Sequence, residues 1–303
     1  MVDGLSGAII AAGRGERLRD AVHGLPKPLV KLAGETLLVR QARAIASMGA
    51  SPVHVIVNSE TAGMLRDRRV AQDRSRAREG ELANYSEVAH DHGIADHGER
   101  KHDREVTRDM ERVPDNRELA DDREGADNRG LGLPSEVKLY VRDTANSMES
   151  LLTLGEHIAP GRFLMTTVDA ILSRSELARF AQRALELTDP RNPDALDGAL
   201  GVVRWRGDKR PLFAKVADGV ISALGDGEAP QVTAGLYLFS TRIFGLAEEA
   251  RAAGLDAMRQ YLALLIRRGM RFAAIDLNDV IDVDEAADLD AARALVSNPG
   301  GGS

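Results

Sequence analysis

The sequence predicts an α/β fold in which a mainly parallel sheet is covered by helices on both faces. Three observations carry that expectation. Short apolar runs of strand length recur along the chain, segments of ten or more residues with helical spacing lie between them, and the first apolar run ends in glycines. Strands that alternate with helices of that length favour parallel pairing, because each crossover returns the chain to the same edge of the sheet. Ligands of such sheets sit at the carboxyl ends of the strands. The loops that follow the strands are therefore where chemistry is sought.

Gly7 to Ala12 reads as a buried first strand running into a loop. Leu37 to Met48 has helical spacing, with Gly49 placed to end it. Val53-His54-Val55-Ile56-Val57 is a second strand and Val137 to Val141 a third. Ser147 to Ile158 reads as a helix with Leu151, Leu152 and Leu154 inward. Phe163 to Val168 is another apolar strand, and a helix follows from Ser175 to Leu187. Gly198 to Trp205, Gly235 to Ser240 and Arg271 to Leu277 are further strands, and the last helix runs from Glu285 to Val296.

A chain of 303 residues with 43% hydrophobic side chains has ample material for a buried core. With 40 basic and 47 acidic residues the net charge is −7, and a pI near 5.6 argues against a nucleic-acid binder, which would show a basic face. The absence of cysteine excludes a disulfide scaffold, a thiol nucleophile and a Cys-ligated metal. No apolar run approaches the roughly 18 residues that span a bilayer. The opening Met1-Val2-Asp3-Gly4-Leu5-Ser6 lacks the pattern of a signal peptide, so a cytoplasmic protein is expected.

Charge is concentrated in one stretch. Residues 66–129 hold 32 charged side chains in 64 positions, with His90, His92, His97 and His102 among them. Apolar residues there are sparse and keep no period, so burial cannot offset the entropy of ordering. The expectation is a disordered or loosely helical insertion interrupting one domain over 1–296, followed by a flexible tail at 297–303.

The first candidate for chemistry is the loop Ala11-Ala12-Gly13-Arg14-Gly15-Glu16-Arg17. Glycines directly after a buried strand let backbone N–H groups approach phosphate oxygens. No Gly-Lys-Ser/Thr follows, so it is not a Walker A loop, and Leu18 stands where a dinucleotide fingerprint has its third glycine. Pro26-Lys27-Pro28-Leu29 then fixes the backbone around one lysine. Loop, arginine and fixed lysine together describe a triphosphate site.

These segments, with Ala33-Gly34-Glu35-Thr36-Leu37-Leu38, resemble the opening of the nucleotidyltransferases that make NDP-sugars and CDP-alcohols. The resemblance resumes after the insertion. It implies a three-layer α/β/α, Rossmann-like nucleotidyltransferase domain with a mixed, mostly parallel sheet. It also implies nucleotide contacts from Ala11, Ala12, Gly13 and Gly15, and catalytic contacts to phosphate from Arg17 and Lys27.

Asp169 ends the run Phe163-Leu164-Met165-Thr166-Thr167-Val168, where a carboxylate is placed to hold a hard cation. The family carries its metal aspartate there, usually after a glycine; here Val168 precedes it. Ile281-Asp282-Val283-Asp284 resembles the family's closing metal motif. Alternation puts Asp282 and Asp284 on one side of an extended segment, and Asp284 is equally well placed as a helix N-cap. NDP-sugar members suggest Asp282 as the ligand and CDP-alcohol members Asp284, and both are kept. Asp288 reads as a solvated first-turn residue. Mg2+ is the cofactor the resemblance implies.

Thr144, Asn146 and Ser150 fall in a Thr-x-Asn-x-x-x-Ser-Leu pattern similar to the base-binding segment of cytidylyltransferases, although Thr144 or Asn146 would also serve as a helix cap. Gly235 lies in Thr233-Ala234-Gly235-Leu236-Tyr237, which resembles the segment that meets the sugar, and Lys215 is placed to reach a phosphate. The Glu-Lys-Pro triplet of sugar enzymes is absent. The expected partners are an NTP and a phosphorylated small-molecule acceptor, with no nucleic acid and no membrane. Many members of the family are oligomers, which leaves a homo-oligomer open. A sugar 1-phosphate is slightly favoured as acceptor. A cytidylyltransferase for phosphocholine or inositol phosphate is the alternative, and a catalytically inactive nucleotide-binding regulatory subunit is the alternative of another class.

Overall fold

A strand that is apolar on both sides has to lie inside a covered sheet, and β1 (Leu5–Ala11) is buried along its whole length. Leu5, Ile9 and Ala11 enter one core, whereas Ala8 and Ile10 enter a second on the opposite face. The computed structural model describes residues 4–13, 15–67, 131–207, 211–225, 227–278 and 280–297. The insertion expected at 66–129 lies outside the described residues except for Arg66 and Asp67, which belong to a helix described over 59–67. The tail expected at 297–303 lies outside them except for Ser297.

In chain order the elements are β1, α1 (Glu16–Arg19), β2 (Lys31–Leu32), β3 (Glu35–Thr36), α2 (Leu37–Ser47), β4 (Val53–Val57) and α3 (59–67). After the insertion come β5 (Val137–Val141), α4 (Ser147–Gly155), β6 (Arg162–Thr167), β7 (Ala170–Leu172), α5 (Arg174–Leu187) and β8 (Gly198–Arg204). The last part holds β9 (Phe213–Ala217), β10 (Val220–Gly225), β11 (Gln231–Ser240), α6 (Ala247–Ala252), α7 (Met258–Arg267), β12 (Phe272–Asp276), β13 (Val280–Asp282) and α8 (Ala286–Ser297).

Nine strands form one sheet in the order β5-β4-β1-β6-β11-β8-β12-β10-β9. β5, β4, β1 and β6 are mutually parallel, and β8 and β12 pair in parallel. β11 reverses between β6 and β8, and β10 reverses between β12 and β9. The sheet is thus mixed, with seven of nine strands running one way, as expected. Helices α2, α3, α5 and α8 pack on one face and α4, α6 and α7 on the other, giving three layers. Phe163, Phe239 and Phe272 lie fully buried, each worth roughly 1.5–3 kcal/mol of removed apolar surface. Among the described residues no helix is long and apolar enough to cross a membrane.

Three features position the functional region. Registers Ile10↔Thr167, Ala11↔Val57 and Val57↔Val141 bring the carboxyl ends of β6, β1, β4 and β5 level at one edge. Side-chain caps start two of the helices there and nearby. Asn146 accepts from the Glu149 N–H at 2.9 Å for α4, and Ser173 accepts from the Glu176 N–H at 3.1 Å for α5. Finally, β7 and β13 form a short antiparallel ribbon with Asp282 opposite Ala170. That ribbon draws the end of the domain against the end of β6.

Candidate active site

The loop after β1 turns on Gly15, whose φ of +59° few other residues accept. Its carbonyl receives the N–H groups of Leu18 and Arg19 at 3.1 and 3.2 Å, which starts α1. A Cβ at Gly15 would stand 2.8 Å from the Cβ of Lys27. The missing side chain therefore lets the loop lie directly on the lysine stem. Lys27 itself sits in a three-residue 3-10 turn (Lys27–Leu29) between Pro26 and Pro28 and is buried.

The buried ammonium is held by two carboxylates from distant parts of the chain. Lys27 Nζ donates to Asp169 Oδ2 at 2.5 Å and to Asp284 Oδ1 at 2.7 Å. Arg17 Nη2 donates to the other oxygen of Asp284 at 2.8 Å. Asp282 completes the group: one carboxylate oxygen from each of Asp169, Asp282 and Asp284 lies within 4.8 Å of the others. Burial works against a charged lysine, but Asp169 and Asp284 outweigh it and hold Lys27 above its ordinary range. Burial likewise works against an ionised Asp169, and Lys27 and the Thr167 hydroxyl outweigh it and hold the carboxyl low. Among the described residues Asp282 forms no ion pair, and Lys27 offsets only part of what raises it. Desolvation in the crowded cleft, then the charge of Asp169, push it up to about 7 even though the residue has solvent on one side.

The donor set suits a hard divalent cation. It consists of three carboxylates with no sulfur or imidazole, and one of them is short of positive charge. Asp282 and Asp284 both join Asp169, so the structure does not choose between them. Asp284 does not cap α8, since its carboxylate turns to Lys27 and Arg17. Asp288 is not merely a solvated residue of the first turn. Its Oδ2 accepts the N–H groups of Asp284 at 2.9 Å and Glu285 at 2.7 Å, shaping the turn that carries Asp284.

The other predicted residues divide. Ala11, Ala12, Gly13 and Gly15 lie at the carboxyl edge, in or beside the loop. Thr144, Asn146 and Ser150 lie on the same edge, after β5, but their polar atoms are engaged locally. Asn146 caps α4, and Thr144 Oγ1 lies 2.6 Å from Ser150 Oγ. Gly235 adopts φ +68° at an irregularity in β11, and a Cβ there would stand 2.7 Å from Thr167 Oγ1 and 2.8 Å from Ala170 Cβ. It thus forms a wall of the carboxylate site. Lys215 is exposed on β9 and makes no ion pair among the described residues. No hydrogen bond or ion pair joins it to Asp169, Asp282 or Asp284 among the described residues. The register Ala214↔Gln231 sets it just past Gln231, at the amino end of β11, whereas Gly235 lies in the middle of that strand.

Sequence reasoning missed several contributors. Asn58 donates to the Ala12 carbonyl at 3.2 Å and accepts from the Thr61 N–H at 2.8 Å. Asp143 accepts the Ser59 N–H at 2.9 Å. Gln41 donates to the Ala170 carbonyl at 2.5 Å, behind Asp169. An Asn immediately after an apolar strand and before Ser-Glu-Thr is a helix-start signal, and it was available for Asn58. The other two required the tertiary structure.

Residues 7–84 match the family model described as the MobA-like NTP transferase domain. Over 55 residues the chain is 46% identical to the bifunctional IPC transferase and DIPP synthase of Rubrobacter xylanophilus. That match takes in 18% of this chain and only 12% of the relative's length. The solved inositol-1-phosphate CTP transferase from T. maritima superposes with a TM-score of 0.63 at 15% identity, covering 99% of this chain and 98% of that one. A glucose-1-phosphate thymidylyltransferase from Bacillus anthracis gives 0.64 at 12% identity, with 99% and 98% covered. The CTP:phosphocholine cytidylyltransferase of Streptococcus pneumoniae gives 0.57 at 14% identity, with 96% and 98% covered. At such identities these structures share the fold with this chain. The domain match and the shared fold bear out the resemblance read from the opening motifs.

Proposed function

We propose that the protein is a nucleotidyltransferase, moving a nucleotidyl group from a nucleoside triphosphate to a phosphorylated small molecule and releasing pyrophosphate. One observation carries the reading: a buried, proline-fixed lysine lies under a glycine loop and is held between two of three clustered carboxylates. A phosphate-binding loop, a cation at a set position and a hard-metal donor set are the parts this transfer requires. The match of residues 7–84 to an NTP transferase domain supports it.

In the reaction an oxygen of the acceptor phosphate attacks the α-phosphorus. The bond from that phosphorus to the α,β-bridging oxygen breaks, and pyrophosphate leaves with the electron pair. The acceptor phosphate is ionised near neutral pH, so no general base is needed. The difficulty lies in bringing two anions together and in holding the charge of the leaving group. Lys27 and Arg17 neutralise phosphate oxygens, and both exchange Asp284 for substrate to do so. The glycine loop orients the triphosphate for in-line attack. Asp169, Asp282 and Asp284 would hold a Mg2+ ion, which supplies further positive charge to the phosphates when bound.

For the substrates we favour CTP and a phosphorylated alcohol of the inositol phosphate type, over the sugar 1-phosphate that the opening motifs slightly favoured. The 46% identical stretch shared with an IPC transferase and the likeness to an inositol-1-phosphate CTP transferase both point this way. The absent Glu-Lys-Pro triplet agrees. A sugar 1-phosphate keeps the support of the Gly235 wall and of the thymidylyltransferase fold. Pyrophosphate release, measured with Mg2+ across the common NTPs and a panel of phospho-alcohols and sugar 1-phosphates, tests the assignment. Release that requires CTP and an inositol phosphate is expected. Release only with a sugar 1-phosphate would move the acceptor, and NTP binding without release across the panel would favour a regulatory nucleotide binder.

A further inference from the structure

Three contacts leave the first turn of α3 for three separate segments of the proposed site. The Asn58 amide donates to the carbonyl of Ala12, where the glycine loop begins. Ser59 donates from its backbone N–H, and from its hydroxyl, to Asp143 on the segment between β5 and α4. Glu60 pairs with Arg19 at the end of α1. Among the described residues these contacts approach the loop through its backbone carbonyl at Ala12, whereas Asp284, ahead of α8, reaches it through the Arg17 side chain.

Asn58 is the hinge pin of the arrangement because its side chain is used at both ends. It is buried, its Oδ1 accepts from Thr61 N, and its backbone carbonyl accepts from Ala62 N at 3.0 Å. It is therefore the N-cap of α3. The side-chain amide nitrogen donates to the Ala12 carbonyl at 3.2 Å and so ties the start of the loop to α3. The Ala12 carbonyl is half-buried; once it loses its donor it seeks another partner, and the loop that carries it would then sample more than one arrangement. We infer that Asn58 is a positioning residue for nucleotide binding: it locks the glycine loop in its binding-competent form through Ala12, independently of its role as a helix cap. The inference rests on the proposed nucleotidyl transfer. It concerns affinity for the triphosphate rather than the chemical step. If only a tenth of the free protein keeps the competent loop, the apparent dissociation constant rises about tenfold.

The two roles separate by substitution. Asn58→Ser keeps a good N-cap, since serine ranks with asparagine at that position, but it is too short to hold Thr61 and Ala12 together. Asn58→Asp keeps the cap and loses the donor. The measurements are equilibrium binding of CTP without acceptor, KM and kcat in the pyrophosphate assay, and the unfolding temperature. For Asn58→Ser we expect CTP affinity to fall and the KM for CTP to rise about tenfold, while kcat and the KM for acceptor stay near wild type and the unfolding temperature drops by a few degrees. Asn58→Asp should do the same or more. If either folded variant binds CTP as wild type does, or if its loss appears in kcat with KM unchanged, the positioning role is overturned. Wild-type protein that binds no nucleoside triphosphate would instead remove the proposed activity and this role with it.

Discussion

Lys27 is the residue on which structure and proposed chemistry depend together, and Lys27→Met separates the two. Methionine keeps the length and packing of the stem under Gly15 but removes the charge. The substitution deletes hydrogen bonds of 2.5 and 2.7 Å to Asp169 and Asp284 and leaves three carboxylates whose oxygens lie within 4.8 Å of one another without the lysine. Removing one partner of a buried ion pair costs about 3–5 kcal/mol. Side-chain exposures of 22% for Asp169 and 34% for Asp284 let solvent screen part of that, so a loss of roughly 2–3 kcal/mol is expected. In a domain of this size that lowers the unfolding temperature by about 4–12 °C. Divalent cation should restore more of it in the variant than in the wild type, because the cluster then has no lysine to neutralise it. Turnover should fall by a factor of about 100–1,000, the usual loss when one charge-stabilising donor is removed. Thermal unfolding with and without Mg2+, alongside pyrophosphate release, reads both effects. Normal turnover with lowered stability would make Lys27 a structural residue only. Unchanged stability and turnover would refute the reasoning altogether.

Gly235→Ala places a Cβ 2.7 Å from Thr167 Oγ1 on a backbone at φ +68°. The left-handed conformation and the overpacking together cost about 2–4 kcal/mol. Denaturant unfolding checks that figure, and the displaced Thr167 should raise the KM for the acceptor. His54 is buried and stacked on Tyr140, with its Nδ1 3.0 Å from the Tyr140 hydroxyl; burial, then Lys138 and His157, push its pKa down to about 4. The unfolded chain therefore takes up this proton first. The stability that neutral His54 contributes is complete above about pH 6.5 and is lost as the pH falls toward 4, up to about 3 kcal/mol. His54→Asn should flatten the unfolding curve between those limits, and an unchanged slope would contradict the assignment. Asp282→Asn should raise the Mg2+ concentration needed for half-maximal activity at least tenfold, and chelation should abolish wild-type activity. A metal titration that superposes on the wild type would remove Asp282 from the metal site.

The layers of the fold were legible where local pattern is strong. The strands at 53–57 and 137–141 have the bounds that their apolar runs suggest, and α2 and α5 differ from expectation by a residue. The hairpin β9–β10 and the helix α7 were not read, although both left a trace. Asp218 and Gly219 take positive φ in the tight turn of the hairpin, a recognised Asp-Gly signal. Met258, Tyr261, Leu262 and Leu265 lie buried at helical spacing. What no local pattern contains is the pairing of β7 with β13. Three-residue strands about 110 positions apart carry too little pattern to specify a partner, yet their register sets Asp282 opposite Ala170, next to Asp169. The individual site residues Lys27, Asp169, Asp282 and Asp284 were therefore visible from their motifs. Their division of labour was not, because it rests on tertiary contacts: Asp284 bonds Lys27 and Arg17 while Asp288 accepts the backbone N–H groups of the turn that carries it.

The most direct test of nucleotidyl transfer follows the label in CTP. With α-labelled CTP, Mg2+ and an inositol phosphate, the label should move into a single product whose mass equals acceptor plus CMP less water. Label at the γ position should leave entirely as pyrophosphate, and Lys27→Met should suppress both. Label from the γ position on the acceptor would show phosphoryl transfer, and release of inorganic phosphate would show hydrolysis. Either result would contradict the assignment of this site.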